Sequence, residues 1–168
     1  MIIDLREETR ADWPAIEAVI AAAFLSARRP TPTEQYIVEA LRRAGQLTIS
    51  LVAELDDTVI GHVAVSPVTI SDGTSGWFGL GPVAVLPQHQ YRGVGSQLVR
   101  EALTILREQG AAGCVVLGEP RYYGRFGFQG ASSLVLPGVP PEYFQSIAFG
   151  SSTVRGSVTY HEAFNLQS

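Results

Sequence analysis

A long apolar segment that leads into a glycine-rich loop constrains this chain more than any other feature. Residues 77–86, WFGLGPVAVL, are typical of a β-strand, but Gly81 and Pro82 stand in its middle. Proline cannot donate a hydrogen bond to a neighbouring strand, so the pattern predicts a bulge or kink there. Residues 90–96, QYRGVGS, follow, and apolar residues then recur at helical spacing as far as Gln109. The segment therefore predicts a kinked strand, a tight loop and an amphipathic helix.

The rest of the chain alternates between helical periodicity and β-branched runs. The further expected elements are strands at 2–5, 47–55, 59–70, 113–118, 133–137 and 156–164 and helices at 13–24 and 34–43, with a break at 27–33. We expect 47–55 and 59–70 to form an antiparallel hairpin. The apolar strand at 113–118 is expected to lie parallel to the kinked strand. This order predicts an α/β fold, with one mixed sheet and one parallel crossover, in a single domain spanning residues 1–168.

Composition narrows the classes of function. A length of 168 residues suits one domain, and a net charge of −4 argues against a nucleic-acid-binding surface. The chain has no lysine, which excludes a P-loop lysine and a Schiff-base lysine. Cys114, the only cysteine, lies in an apolar run, where we expect it to be buried, and we expect no metal site. With no membrane span or signal peptide in the pattern, the expected location is the cytoplasm, without membrane or nucleic-acid partners.

The loop before the central helix has the character of a phosphate site. The first turn of a helix presents unpaired N–H groups, and glycines let a phosphate approach them closely. Gly93 and Gly95 provide that access, and Arg92 adds a positive charge. A dinucleotide fingerprint fits poorly, because Leu98 occupies the position of its third glycine. The alternative is that the glycines only make a tight turn.

The surrounding residues resemble the GNAT superfamily of N-acetyltransferases. Gln90, Gly93 and Gly95 match its Arg/Gln-x-x-Gly-x-Gly/Ala motif, and Val85 and Pro87 match the end of the strand before it. The resemblance implies a mostly antiparallel, twisted sheet flanked by helices, with acetyl-CoA as cosubstrate. It implies pyrophosphate contacts from Gln90, Tyr91, Arg92, Gly93, Val94, Gly95 and Ser96, and pantetheine contacts from Val83, Ala84 and Val85. A backbone N–H near Val83 would face the thioester oxygen.

A second motif, YYGRFGF at residues 122–128, bears on catalysis. In the same family a tyrosine often stands four residues before the glycine of a Gly-Phe pair, which here selects Tyr123 as general acid for the leaving thiolate. Tyr122 is expected to be a packing residue, and Arg125 to form a salt bridge or lie near the phosphates. Many relatives carry Asn and Ala upstream, where this chain has VLGEPRYY. The general base stays unassigned among Glu119, Glu54, His62 and ordered water.

The predicted function is transfer of an acetyl group from acetyl-CoA to a primary amine by direct attack. A non-catalytic acyl-CoA sensor on the same fold and a nucleotide-binding protein are the alternatives. The acceptor pocket is expected between residues 21–36 and 140–152. The expected acceptor is a small-molecule amine or a peptide amine. The sequence does not decide whether the protein forms a homodimer.

Overall fold

Within residues 2–25, 34–130, 133–151 and 153–165, the computed structural model contains four α-helices and nine β-strands. The helices are α1 (Trp13–Leu25), α2 (Glu34–Arg43), α3 (Val94–Glu108) and α4 (Pro120–Gly124). The strands are β1 (Asp4–Glu7), β2 (Ile49–Leu55), β3 (Thr58–Ile70), β4 (Trp77–Val85), β5 (Gly113–Leu117), β6 (Gln129–Gly130), β7 (Leu134–Val135), β8 (Phe144–Ala148) and β9 (Gly156–Tyr160). The break expected at residues 27–33 lies outside the described residues.

One sheet organises these strands in the order β1-β2-β3-β4-β5-β8-β6. β9 pairs with the far end of β3, and β7 pairs with β9. Only the β4–β5 and β7–β9 pairs are parallel among the strand pairs of the described ranges. The expected mixed, mostly antiparallel sheet is therefore confirmed, and so are the hairpin of β2 with β3 and the parallel crossover from β4 to β5.

Helices α3 and α1 cover opposite faces of the sheet. The buried stripe of α3, including Leu98, Ala102 and Leu106, packs on one face. Gly61 of β3 lets α3 approach, because a Cβ there would lie 3.1 Å from Leu98 Cδ1. The buried side of α1, centred on Ile16, packs on the opposite face. The central strands are thus covered on both sides.

A polar cluster fastens the two N-terminal helices to the sheet. Glu8 accepts hydrogen bonds from Arg42 Nε and Nη2 of α2, at 2.9 and 2.6 Å, and from Trp13 Nε1 of α1, at 2.9 Å. The Arg42 guanidinium also lies 4.6 Å from the centre of the Trp13 ring. Ser50 of β2 donates to Glu8 and lies 2.8 Å from His62 Nε2. One carboxylate therefore joins α1, α2 and β2.

The C-terminal part departs from the sequence-based expectation. β8 lies in a stretch that was not expected to be a strand, yet it pairs with β5 along the whole of that strand. Its Gln145 is 1% exposed, and the side-chain amide donates to the Gly118 carbonyl at 3.3 Å. The sequence does not predict this strand, since Pro140 and Pro141 stand shortly before it and two of its five residues are polar. The strand forms because β5 provides hydrogen-bond partners for it. The first strand is also displaced, from the expected 2–5 to 4–7.

Candidate active site

The parallel strands β4 and β5 separate after three residue pairs. Their pairing runs from Trp77–Gly113 to Gly79–Val115, and no later pair joins them within the described residues. On its other edge β4 stays paired with β3 as far as Val85–Gly61. The β5-facing edge of β4 is therefore open from Leu80 to Val85. An open edge of this kind can accept an extended ligand through backbone hydrogen bonds.

The predicted kink lies at the start of this open edge. Val83 pairs with Val63 and Leu80 with Val65, so Gly81 and Pro82 together oppose a single residue of β3. This two-against-one register is a β-bulge and confirms the kink expected from the sequence.

Backbone direction along β4 follows from one hydrogen bond beyond the bulge. The N–H of Leu86 donates to the Ile60 carbonyl at 2.8 Å, so it faces β3. Main-chain groups alternate between the two edges of a strand, and those of Val83 and Val85 consequently face the open cleft. The side chain of Ala84 packs in the core under α1, which leaves only its main chain available to a ligand.

The loop between β4 and α3 presents backbone N–H groups at the end of this edge. Gln90 Nε2 donates to the Val85 carbonyl at 3.0 Å and holds the loop against the strand. Gly93 adopts φ +83°, in the left-handed region that glycine tolerates best, immediately before α3. The Gln97 N–H bonds to the Gly93 carbonyl at 3.0 Å. The N–H groups of Gly95 and Ser96 precede that bond and point out of the helix end, where anions bind.

A pocket of about 490 Å³ lies over these N–H groups, and we call it the loop pocket. Its lining consists of Val85, residues 89–91, residues 93–96, Tyr122 and Arg125. Tyr122 Oη lies 3.3 Å from Ser96 Oγ, and a Cβ on Gly95 would lie 3.1 Å from the same phenol oxygen. Tyr122 therefore belongs to the loop pocket, whereas the sequence indicated packing alone.

Of the two arginines that the sequence placed near the phosphates, Arg92 and Arg125, one lines the loop pocket. Arg92 is exposed and is not among the described residues that line this pocket. Tyr91, at φ +65°, also turns its side chain into solvent. Arg125 of the α4 C-terminus lines the pocket instead, with its guanidinium 4.6 Å from the Tyr122 ring centre. The three-residue spacing of Tyr122 and Arg125 in YYGR was the sequence signal for this pair.

Substituting Arg125 is expected to weaken coenzyme binding. Arg125→Gln removes the positive charge that lines the loop pocket, so the dissociation constant of CoA should rise about 5- to 10-fold, and its salt dependence should weaken. Isothermal titration at two salt concentrations measures both. The matched control is Arg121→Gln on the same helix, because Arg121 is exposed and outside the pocket lining. An equal loss in the two variants would contradict the assignment.

A second opening, the tyrosine cavity, has a volume of about 630 Å³ and lies at the kink. Its walls include residues 80–83 of β4, Tyr123 of α4, Leu136, and residues 158–160 of β9. Val83 lines this cavity and Val85 lines the loop pocket, so the two openings meet along the free edge of β4. Two residues of strand separate them by about 7 Å.

Tyr123 is held firmly at this junction. Its ring packs over Gly118, where any Cβ would collide with it, and meets the Phe128 ring edge-on at 5.9 Å. Burial raises the pKa of Tyr123, with Tyr122 and Cys114 adding to the effect. The phenol therefore stays protonated at neutral pH and can donate its proton or a hydrogen bond. This geometry brings Tyr123 and Val83 to one cavity. The family resemblance implies that both lie near the thioester.

The candidate bases do not reach the tyrosine cavity. Glu54 accepts a hydrogen bond from Arg6 at 3.0 Å, and Glu119 is exposed at the start of α4. His62 is fully buried against Ser50. None of these three lines the cavity, whereas Glu34, which sequence reasoning did not select, does.

Buried His62 predicts an acid-sensitive fold. Burial lowers its pKa from 6.5 to about 4, so below pH 6.5 the unfolded chain binds a proton that the folded protein does not. Stability present above pH 6.5 is then lost as the pH falls towards 4, in total about 3 kcal/mol. Urea unfolding between pH 4.5 and 7.5 measures this slope. His62→Gln should flatten it, and an unchanged slope in that variant would assign the effect to other groups.

The walls of the tyrosine cavity correct the expected acceptor pocket. From residues 21–36, Phe24 and Glu34 contribute to the lining, and residues 26–33 lie outside the described ranges. Residues 140–152 do not contribute among those described, because β8 is paired inside the sheet. The segment just before them, including Leu136, and strand β9 form that wall instead.

Other predicted features can be placed as well. Cys114 is fully buried, as expected. Among the described residues, no cluster of three or more His, Cys, Asp or Glu side chains could hold a metal ion. No helix in the same part of the chain is long and apolar enough to cross a membrane.

Comparison with known proteins gives a consistent assignment. Residues 4–131 match the family described as the acetyltransferase (GNAT) domain. The chain is 38% identical to a protein named as an uncharacterized N-acetyltransferase, YhbS, of Escherichia coli K12, over 96% of this chain and 98% of that one. The protein therefore belongs to the GNAT acetyltransferases, which confirms the class of enzyme and the fold predicted from the sequence.

Two solved structures are similar over nearly their whole length. A GNAT family acetyltransferase from Brucella melitensis, in complex with acetyl-CoA, has a TM-score of 0.86 and 46% identity, covering 97% of this chain and 98% of that one. YhbS from Escherichia coli, in complex with CoA, has a TM-score of 0.88 and 37% identity, covering 98% and 92%.

Proposed function

We propose that this protein transfers the acetyl group of acetyl-CoA directly to a primary amine. The observation that carries the proposal is the open edge of β4, which runs from the loop pocket to Tyr123. The complexes of the Brucella melitensis enzyme with acetyl-CoA and of YhbS with CoA support this choice of cosubstrate.

The chain offers separate positions for each part of the cosubstrate. The pyrophosphate fits the loop pocket, where the N–H groups of Gly95 and Ser96 point outward and Arg125 supplies positive charge. The pantetheine arm fits the open edge of β4, as an added strand bonded to the main chain of Val83 and Val85. The thioester then lies at the bulge, in the tyrosine cavity.

Bond changes follow from this placement. The amine nitrogen attacks the thioester carbonyl carbon, and negative charge develops on the carbonyl oxygen, which the Val83 N–H is positioned to stabilise. The carbon–sulfur bond then breaks, and Tyr123 donates a proton to the departing thiolate and recovers through water the proton that the amine releases after it attacks. Because burial raises the pKa of Tyr123, the phenol carries that proton at the start of the reaction.

The attacking amine must lose a proton, and the cavity itself assists this. Burial in apolar surroundings disfavours an ammonium ion and lowers its pKa. The residues around Val83 in the cavity include the apolar Leu80, Pro82 and Val158. We propose that the proton leaves through water towards Glu34, the one carboxylate among the described lining residues, since Glu54, Glu119 and His62 lie away from the cavity.

The test has two stages. At a hundredfold excess over its dissociation constant, acetyl-CoA or CoA should add about 2.7 kcal/mol to the free energy of unfolding and so raise the melting temperature. NAD should leave the melting temperature unchanged. Thiol release is then followed with amines present, and Cys114 is too buried to react in the folded protein. Binding of acetyl-CoA with no thiol release for any amine would favour an acyl-CoA sensor. Absence of binding would contradict the coenzyme site and would mean that the glycines only form a tight turn.

A further inference from the structure

Several buried apolar side chains line the tyrosine cavity beside its polar groups. Leu80 and Val158 are 4% and 1% exposed, and Pro82 is also buried. Leu136 and Phe164 complete the apolar lining. A volume of about 630 Å³ is in the range of small-molecule sites, with room for a compact organic body beyond the acetyl group.

Charged groups are sparse around this cavity. Of the described residues that line it, Glu34 alone carries a charge, and Thr159 and Asn165 are exposed polar residues. A polyamine or an aminoglycoside carries several ammonium groups, and each needs an acidic or polar partner when it loses water. Among the described residues the lining offers one acidic partner, Glu34, which suits an apolar body with one amine better than a polycation.

One buried polar group in the cavity lacks a partner. The Tyr160 hydroxyl is buried and makes no hydrogen bond to the described residues. Its ring lies over Gly79, where a Cβ would be 2.7 Å from Cε2, and against Phe164 at a centroid distance of 5.0 Å. Gly79 thus leaves the space that brings this phenol into the wall. Buried hydroxyls are nearly always paired, so this one requires a partner that water or a ligand in the cavity can supply.

We propose that the acceptor is a compact primary amine on an aromatic or branched aliphatic body, whose N–H donates a hydrogen bond to the Tyr160 hydroxyl oxygen and leaves the lone pair free to attack. This rests on the proposed function and adds the class of its acceptor. The apolar body fills the space between Leu136 and Val158, and the amine points towards Val83. Desolvation there favours the neutral amine, so the same walls that select the acceptor also prepare it for attack.

An acceptor panel tests the substrate class. 2-Phenylethylamine and 3-methylbutylamine are compared with putrescine, spermidine, kanamycin and a lysine-containing peptide, using thiol release and mass spectrometry of the product. We expect kcat/KM at least about 100-fold higher for the two apolar amines. Comparable or better turnover of any polycation or of the peptide would overturn the inference. So would a strong preference for octanoyl-CoA over acetyl-CoA, which would assign the cavity to the acyl chain.

Variants test the cavity wall. Tyr160→Phe should raise the KM of the apolar amine about 5- to 10-fold, while kcat and the KM of acetyl-CoA stay within about twofold. An unchanged KM for the amine would contradict the proposed hydrogen bond between the amine and the Tyr160 hydroxyl. Leu136→Asp should raise the amine KM more than 10-fold with acetyl-CoA affinity retained. The matched control is Val135→Asp, because Val135 is 51% exposed, and it should behave as the parent.

Acetyl-CoA binding keeps the two proposals distinguishable. It is measured by calorimetry for the parent and every variant before the acceptor panel is run. Absence of binding by the parent would overturn the proposed function together with this inference. Binding followed by turnover of polycations alone would overturn only the apolar acceptor. If Leu136→Asp does not fold, Tyr160→Phe alone tests whether this cavity wall contacts the amine. That substitution removes only a hydroxyl oxygen that has no partner among the described residues.

Discussion

Replacing Tyr123 with phenylalanine is expected to lower kcat about 100-fold while the dissociation constant of acetyl-CoA stays within about twofold. The substitution removes only the proton donor, and the ring keeps its packing over Gly118 and against Phe128. General acid catalysis of this kind contributes 10²- to 10⁴-fold. Steady-state kinetics with the best amine, together with calorimetric binding of acetyl-CoA, measure the two quantities separately.

The neighbouring tyrosine provides the control. Tyr122 has the same side chain on the same helix, but its hydroxyl contacts Ser96 in the loop pocket. Tyr122→Phe should therefore weaken coenzyme binding modestly and change kcat little. If Tyr123→Phe instead lowered binding and turnover equally, Tyr123 would be a structural residue of the cavity and the acid would have to be sought elsewhere.

Gly93→Asp is expected to raise the dissociation constant of acetyl-CoA about 100-fold. The new carboxylate would stand at the start of α3, beside the N–H groups proposed to hold the pyrophosphate. Two phosphate charges at about 5 Å, with an effective dielectric constant near 40, repel it by about 3 kcal/mol, which corresponds to roughly that factor. Calorimetry with CoA at moderate salt measures the loss, which should shrink as salt is added.

Gly93→Asn isolates charge from shape. Asparagine and aspartate have nearly the same size, and both tolerate the left-handed conformation at φ +83° better than most residues. Both can also cap the helix, so each competes for the same N–H groups. The asparagine variant should consequently lose much less affinity than the aspartate variant. Equal affinities in the two would mean that no phosphate lies at this end of α3.

The sequence by itself determined the elements that depend on local pattern. α2 begins and ends at the predicted residues, because its apolar period and the glycine after it act within a few turns. The bulge in β4 follows from Gly81 and Pro82, and the left-handed loop from Gly93, since backbone restrictions belong to single residues. Those local features also carried the family resemblance, which the comparison with known proteins then confirmed.

The tertiary structure decided everything that depends on distant segments meeting. β8 is a strand because β5 offers it a partner, although two of its five residues are polar and two prolines stand shortly before it. Arg125, rather than Arg92, reaches the loop pocket because α4 folds back beside the start of α3. Tyr160 enters the cavity wall only where β9 pairs with the end of β3 and Gly79 leaves room. Residues from separate strands and helices meet there through long-range pairing and packing, which no local period in the sequence encodes.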